Sequence, residues 1–319
     1  MKVIAETASN HMGELDYLKE ISLQCCKSGA DIITVQIFNL EAFVTPKDSL
    51  SYSNFLKTHI KQKDWSDYFK WSKEHSIDVL PCILDVPSAE LCKEHEFKSV
   101  KIHASDIVNL EFLELIDDYF ETVFLEFGGA NLDEIKTALS CFKNTEVILL
   151  YGFNAYPTLI ENQNLNFLQT LEYLFDCKTG FADHSVGNEF IPLLAMAKGA
   201  LYLEKHVTLD SKNKDRFDWQ VSVEPEELKK MVDQIRDYKP AFGEPLRLVS
   251  EGEKHFRKLV YKKLVLNKNK KENEKILNGD LEIKRSIEGI ESTQKDSLLN
   301  KVLNKDLQKG TPIAYSDLI

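Results

Sequence analysis

Over the first two thirds of the chain, short apolar runs alternate with segments of helical periodicity. The runs Val3–Glu6, Ile32–Gln36, Asp78–Pro81, Ser99–His103, Thr122–Glu126, Glu146–Tyr151, Lys178–Ala182 and Ala200–Glu204 predict eight strands. Leu15–Ser28, Trp65–His75, Ser88–His95, Asn131–Phe142, Glu189–Ala197 and Pro225–Tyr238 read as helices between and after them. Each connection is long enough for a helix, so the strands are expected to run parallel. Eight such units predict an α/β fold closed as a (β/α)8 barrel rather than an open, doubly wound sheet. The absence of G-x-G-x-x-G after an early strand points the same way.

The pattern changes near Pro240. Residues 1–240 are read as the barrel, 241–254 as a linker with glycine, proline and charge, and 255–319 as a small second domain. The last is a set of short apolar pieces, Leu259–Leu266, Gly279–Ile283, Val302–Leu303 and Thr311–Ile313, broken by turns. A chain of 319 residues accommodates one large domain and a small one. The lysine-rich run Lys268–Lys275 reads as a solvated loop, an anion-binding patch being the sharper alternative.

A net charge of −11 gives no support to a nucleic-acid partner. No stretch of apolar residues is long enough for a membrane span, and MKVIAETASN has no signal-peptide character, so the expected location is cytoplasmic. The six cysteines form no C-x-x-C pair and read as reduced, mostly buried thiols.

Barrel active sites gather at the C-terminal ends of the strands. Polar residues fall there repeatedly: Glu6, Asn10 and His11 after the first strand, Gln36 after the second, Asp85 after the third. Lys101, His103, Ser105 and Asp106 mark the fourth, Glu126 the fifth, Asn154 and Tyr156 the sixth. Asp183 and His184 follow the seventh, and Glu204, Lys205 and His206 the eighth. His184 and His206 end neighbouring strands and can converge. Two neutral imidazoles suit Mn, Fe, Co or Zn, or form a hydrogen-bonding pair without metal. His11 is a third polar contact or a turn residue. Lys101, buried between Val100 and Ile102, needs a partner. It could hold an anion, form a Schiff base, or pair with Asp106 or Glu126. Asp218 lies in a loop before a helix, over the barrel mouth or on the surface.

These residues resemble the sialic acid synthase family over nearly the full length. The motifs are I-A-E-x-x-x-N-H-x-G at Ile4–Gly13, K-I-x-x-x-D at Lys101–Asp106, N-x-Y-P at Asn154–Pro157, G-F-A-D-H-S at Gly180–Ser185 and E-K-H-V-T-L-D at Glu204–Asp210. Asp218, Ser222 and Pro225 match the loop before the last barrel helix. Lys284-Arg285, Gly289-Ile290, Lys309-Gly310 and Asp317-Leu318 match the tail. The resemblance implies a barrel joined to a C-terminal antifreeze-like (SAF) domain. It implies condensation of phosphoenolpyruvate with an open-chain, N-acylated amino sugar to give a nonulosonic acid. It implies a divalent metal, Mn²⁺ or a similar ion, on His184 and His206, polarising the sugar aldehyde. Glu6, Lys101, Asp106 and Asp218 are then the candidate catalytic residues. Gln36, Glu126, Asn154, Tyr156, Asp183, Lys205 and Arg285 are the candidate substrate-binding residues. Arg285 would reach the N-acyl group in a homodimer whose small domains cover the partner's active site.

The chain departs from the family on one side of that site. Thr34-Val35-Gln36 stands where the family has K-F-Q, and Pro81–Asp85 where it has S-T-P-F-D. Ala104, Glu126 and Ala182 stand where it has serines. Of the group expected to hold phosphoenolpyruvate, Lys101 and Asn154 remain. The metal and sugar side matches the family while the donor side is rebuilt. Alternative readings are a sugar enzyme using a donor without phosphate, aldolase or lyase chemistry, and a non-catalytic sugar-binding homologue.

Overall fold

The computed structural model describes residues 1–153, 155–187 and 189–319. The chain divides into two compact units, Met1–Gly243 and Glu244–Ile319.

The first unit opens with β1 (Lys2–Glu6), α1 (Leu15–Lys27) and β2 (Ile32–Ile37), followed by α2 (Leu40–Phe43), α3 (Ser49–Thr58) and α4 (Gln62–Glu74). It continues with β3 (Val79–Ile83), α5 (Val86–Glu94), β4 (Ser99–Ile102), α6 (Leu110–Tyr119), β5 (Thr122–Glu126) and α7 (Leu132–Leu139). It ends with β6 (Glu146–Tyr151), α8 (Phe167–Phe175), β7 (Lys178–Asp183), α9 (Ile191–Ala197), β8 (Tyr202–His206) and α10 (Pro225–Tyr238). All eight strands pair in parallel with their sequence neighbours, and β8 returns to β1, closing the sheet into the expected barrel.

The alternation of side chains along each strand produces two apolar regions. Outward-facing residues such as Val3, Ile33, Val35, Leu125 and Leu203 meet the helices, where α1 contributes Leu18, Ile21 and Cys25 and α10 contributes Leu228, Val232 and Ile235. Inside the barrel Ile4, Ile32, Leu80, Phe124 and Ile148 pack with Tyr202 into a plug. The remaining inward positions, further along the strands, carry polar residues. Gly180 is the small member of this packing: a Cβ there would lie 2.9 Å from Leu150 Cδ1 and 3.0 Å from Tyr202 Cβ. Helix starts are capped by their own sequence: Asp85 accepts from Ser88 N at 2.8 Å, and Asn131 forms a reciprocal capping box with Glu134.

Several boundaries shift by a residue or more from the pattern read in the sequence, and two shifts matter most. β8 runs two residues further than Glu204, because Lys205 and His206 pair with β1 at Ala5 and Glu6. The segment read as a linker leads into α11 (Glu251–Val260), started by a capping box between Ser250 and Glu253. That S-x-x-E signal is present in the sequence, where glycine and charge mask it.

The second unit follows α11 with an antiparallel pair, β9 (Lys262–Leu266) and β10 (Leu281–Arg285), around a core of Leu264, Leu266, Ile276, Leu298, Leu303 and Ile313. The Lys268–Lys275 run is not all solvated. Lys270 is buried, donating to Asp280 Oδ2 and to the Lys275 carbonyl at 2.6 Å each, while Lys268 pairs with Asp280 Oδ1 at 2.5 Å. Burial alone would raise the Asp280 pKa, but the bonds from Lys268 and Lys270 overcome it and hold the carboxyl at about 2. A carboxylate depressed in this way stabilises the fold above its unfolded pKa, and the contribution is lost as pH falls through the folded value. Asp280→Asn is therefore expected to weaken this unit by about 1–2 kcal/mol at neutral pH. The difference from wild type should shrink as pH falls from about 4 toward 2. Hydrogen exchange of the β9 and β10 amides reads this directly; a pH-independent difference would rule out the ion pairs as its source.

Candidate active site

Inward positions near the strand ends, with the loops beyond them, bring four carboxylates, Lys101, His103 and His206 to one cavity of about 220 Å³. β1 supplies Glu6, β2 Gln36, β4 Lys101, β5 Glu126, and β8 both Glu204 and His206. These are alternate positions on their strands, so one register shift would remove them all.

Lys101 is the centre. It reaches from β4 across the barrel to β1 and β8, donating to Glu6 Oε2 at 2.9 Å and Glu204 Oε1 at 2.6 Å. Glu126 Oε2 stands at 3.8 Å, outside hydrogen-bond reach. All four side chains are buried. Burial would lower the Lys101 pKa, but Glu204, Glu6 and Glu126 outweigh it and hold the amine well above its ordinary value. This removes the Schiff-base role, since a stabilised ammonium has no lone pair for attack. Of the partners read from the sequence, Glu126 pairs with Lys101 by charge at 3.8 Å, while Asp106 gives way to Glu6 and Glu204.

One lysine does not balance three carboxylates. Burial pushes Glu204 up to about 8 against the pull of Lys101, with the Glu6 and Glu126 charges adding to the rise. Glu126 is driven up by burial, but Lys101, His103 and His184 hold it below its usual value. Near neutrality the raised proton affinity belongs to the coupled carboxylates together. Glu204 Oε2 is buried with no hydrogen-bond partner among the described residues. Glu6 Oε1 accepts from Ala8 N at 2.6 Å, which fixes the start of the β1 loop.

His184 and His206 do converge. Their ring centroids are 5.3 Å apart, and the Tyr156 ring lies 4.5 Å from His184 and 5.7 Å from His206. Burial lowers both histidine pKa values, His206 the further, so both rings are neutral. His184 Nδ1 lies 3.2 Å from the Phe153 carbonyl, which makes that nitrogen the donor and leaves Nε2 with a lone pair. His206 Nδ1 is buried without a hydrogen-bond partner among the described residues, 3.5 Å from Asp218 Oδ2. Asp218 sits at φ +57°, a left-handed conformation that Asp tolerates. Burial, then the Glu6 and Glu126 charges, raise it to about 6. Among the described residues no group of three or more His, Cys, Asp or Glu is arranged to hold a metal by itself.

Other sequence candidates fall elsewhere. Asp183 and Lys205 occupy outward positions and pair with each other, Nζ to Oδ2 at 3.1 Å, beside a separate cavity of about 150 Å³ next to α10. Asp106 accepts from Ser105 and Asn109 at the α6 entrance and does not line the central cavity. His11 is a turn residue: Nδ1 accepts from Gly13 N at 3.0 Å and the ring meets Trp65 edge-on. Arg285 is exposed at the end of β10 in the second unit. Asn154 lies outside the described residues. The sequence reading missed Phe55 from α3 and Phe217, both of which line the cavity. Adjacency to Asp218 was the one signal available for Phe217; Phe55 comes from a loop helix with no motif.

A closed barrel with an acidic, histidine-bearing cavity at the C-terminal ends of its strands defines a barrel enzyme. The model of the NeuB family matches residues 23–247, and this chain belongs to that family. The N,N'-diacetyllegionaminic acid synthase of Campylobacter jejuni is 31% identical over 96% of this chain and 97% of that protein. The pseudaminic acid synthase of Helicobacter pylori is 24% identical over 99% of this chain and 97% of its own length. Among solved structures, an N-acetylneuraminic acid synthetase from Leptospira borgpetersenii, determined with citrate, superposes with a TM-score of 0.75 at 30% identity. The match covers 80% of this chain and 90% of that one.

The ion cluster makes a direct prediction. Lys101→Met strands three buried carboxylates and should destabilise the first unit by about 3–5 kcal/mol in chemical denaturation. The loss should be smaller in mildly acidic than in alkaline buffer, where the abandoned carboxylates stay charged. An unchanged unfolding midpoint would show that Lys101 carries no structural ion pair.

Proposed function

We propose that the cavity is the active site of a nonulosonic-acid-type synthase. The chain condenses a three-carbon donor, phosphoenolpyruvate in the family, with an open-chain amino sugar, forming a carbon–carbon bond. The donor methylene carbon joins the aldehyde carbon, the aldehyde oxygen gains a proton, and water replaces the phosphate leaving the donor C2. The observation that carries this reading is the pair of neutral imidazoles above the Lys101–Glu6–Glu204 cluster, in a chain of the NeuB family.

The two imidazoles fit a divalent ion. The His184 hydrogen bond to the Phe153 carbonyl leaves Nε2 with its lone pair for a ligand, and His206 Nδ1 has no hydrogen-bond partner among the described residues. His184 and His206 would hold the ion, Mn²⁺ by family resemblance, which supplies Lewis-acid polarisation when bound. Asp218 and Glu6 orient the sugar hydroxyls, and Tyr156 forms a wall beside the imidazoles. Gln36 and Asn154 contribute donors to the substrate.

The donor side supports a finer proposal. Phosphate needs positive charge and several hydrogen-bond donors. Thr34, Ala104, Glu126 and Ala182 supply none of the family's groups, and Lys101 is committed to carboxylates. Phosphoenolpyruvate is therefore expected to bind more weakly here than to its relatives. The same commitment favours a second reading, in which the donor lacks phosphate. By resemblance, residues 255–319 form an antifreeze-like module, the protein is a cytoplasmic homodimer, and Arg285 enters the partner's active site. Among the described residues no helix is long and apolar enough to cross a membrane.

Manganese-loaded protein supplied with phosphoenolpyruvate and N-acylated hexosamines should release phosphate and yield the keto acid by mass spectrometry. Product without phosphate release, from pyruvate, would select the second reading; no carbon–carbon bond formation with either donor would defeat both. Replacing both His184 and His206 with alanine should abolish stoichiometric metal in freshly purified protein, and equal metal content would remove them as ligands. Light scattering should give twice the chain mass; a monomer would exclude the shared site.

A further inference from the structure

Asp183 and Lys205 are buried on the outer face of the sheet, and neither lines the central cavity. Their outward neighbours along the chain, Phe181, Leu203 and Val207, are apolar and pack against the helices. An apolar pair in their place would serve stability as well, so the charges need another reason. β7 ends at Asp183, and its pairing with β8 stops at Asp183 opposite Lys205. His184 thus lies one residue beyond the last ladder pair, whereas His206 is still inside β8, paired with Glu6 of β1. The lysine side chain takes over where the ladder stops. Its ammonium donates to the Asp183 carbonyl at 3.2 Å and the Ser185 carbonyl at 2.6 Å, one on each side of His184. The third donor goes to Asp183 Oδ2 at 3.1 Å, and Asp183 Oδ1 accepts from Ser185 N at 2.8 Å. Every ammonium hydrogen then has an acceptor. Packing alone does not hold this turn, because Asp183, Ser185 and Lys205 border the cavity of about 150 Å³ beside α10.

We propose that Lys205 and Asp183 are positioning residues, which clasp the backbone on both sides of His184 from behind the sheet and so fix the reach between the His184 and His206 imidazoles. This rests on the reading of those imidazoles as the holders of a divalent ion. It adds that their spacing is set from outside the cavity, by side chains that touch no substrate. With the clasp removed, the His184 turn keeps its bonds to the segment after β6, from Thr158 N to the His184 carbonyl and between His184 Nδ1 and the Phe153 carbonyl. It loses the Ser185 bond to β8, the strand that carries His206. Groups that orient a metal-binding histidine from behind commonly govern affinity for the ion.

The test is calorimetry of Mn²⁺ binding to the metal-free full chain, together with the imidazole NMR signals of the same metal-free protein labelled at histidine. Lys205→Met removes the clasp but strands the Asp183 carboxylate. Lys205→Met combined with Asp183→Asn removes the clasp without leaving a buried charge unpaired. Both should bind Mn²⁺ about 10–100-fold more weakly and shift the His184 signals. Val232→Ala, in the core under α10, controls for lost stability and should leave both readings unchanged. Wild-type affinity in the combined variant overturns the proposal, as does an equal loss of affinity in Val232→Ala. Exchange of the Ser185 amide hydrogen in the wild-type chain needs no variant: protection is expected, and exchange as fast as in exposed loops also overturns the clasp. Should the wild-type chain bind no Mn²⁺, the metal reading falls and the metal-free spectra decide the clasp by themselves. Shifted His184 signals in the combined variant then sustain it, and unshifted ones sink it.

Discussion

A single ammonium buried inside a closed barrel governs the upper half of this molecule. An eight-stranded barrel has an interior just wide enough for side chains to fill, so a lysine on β4 cannot escape to solvent and must find its counter-charges on the far wall. Glu6 and Glu204 supply them from β1 and β8. Everything above this bridge is set by it. Glu126 stands 3.8 Å from the same ammonium, and His206 lines the cavity that these carboxylates share.

Much of the fold was legible in the chain because the parallel strands are short, apolar and separated by helical periodicity. Of the partners of Lys101, Glu126 was legible but Glu6 and Glu204 were not, because a barrel pairs residues across its diameter according to closure and stagger. The same blindness affected Asp183 and Lys205. They flank His184 and His206, yet alternation turns them toward the helices, where they satisfy each other. Their motif positions are real and their direction was unreadable without the strand register. Phe55 illustrates a different limit: it arrives from α3, in a connection whose path is set by packing of Phe38, Phe43 and Phe55 rather than by any short motif.

Thr34, Glu126 and Ala182 sit on strands whose alternate positions pack against the helices as an ordinary barrel core. Residues that face the cavity can therefore differ without disturbing the wall that carries them.

The bridge also has a bearing on how the chain is made. Glu6 precedes Lys101 by 95 residues, and Glu204 follows it by 103. On a ribosome the lysine emerges with one partner already present and the other still to be synthesised. Until β8 has been made, this ammonium lacks the shorter of its two hydrogen bonds, so a premature barrel lacking its last strand is penalised electrostatically as well as by its open edges. The pair that shapes the cavity thereby acts as a completion check on biogenesis, favouring closure only when the first and last strands are both in hand.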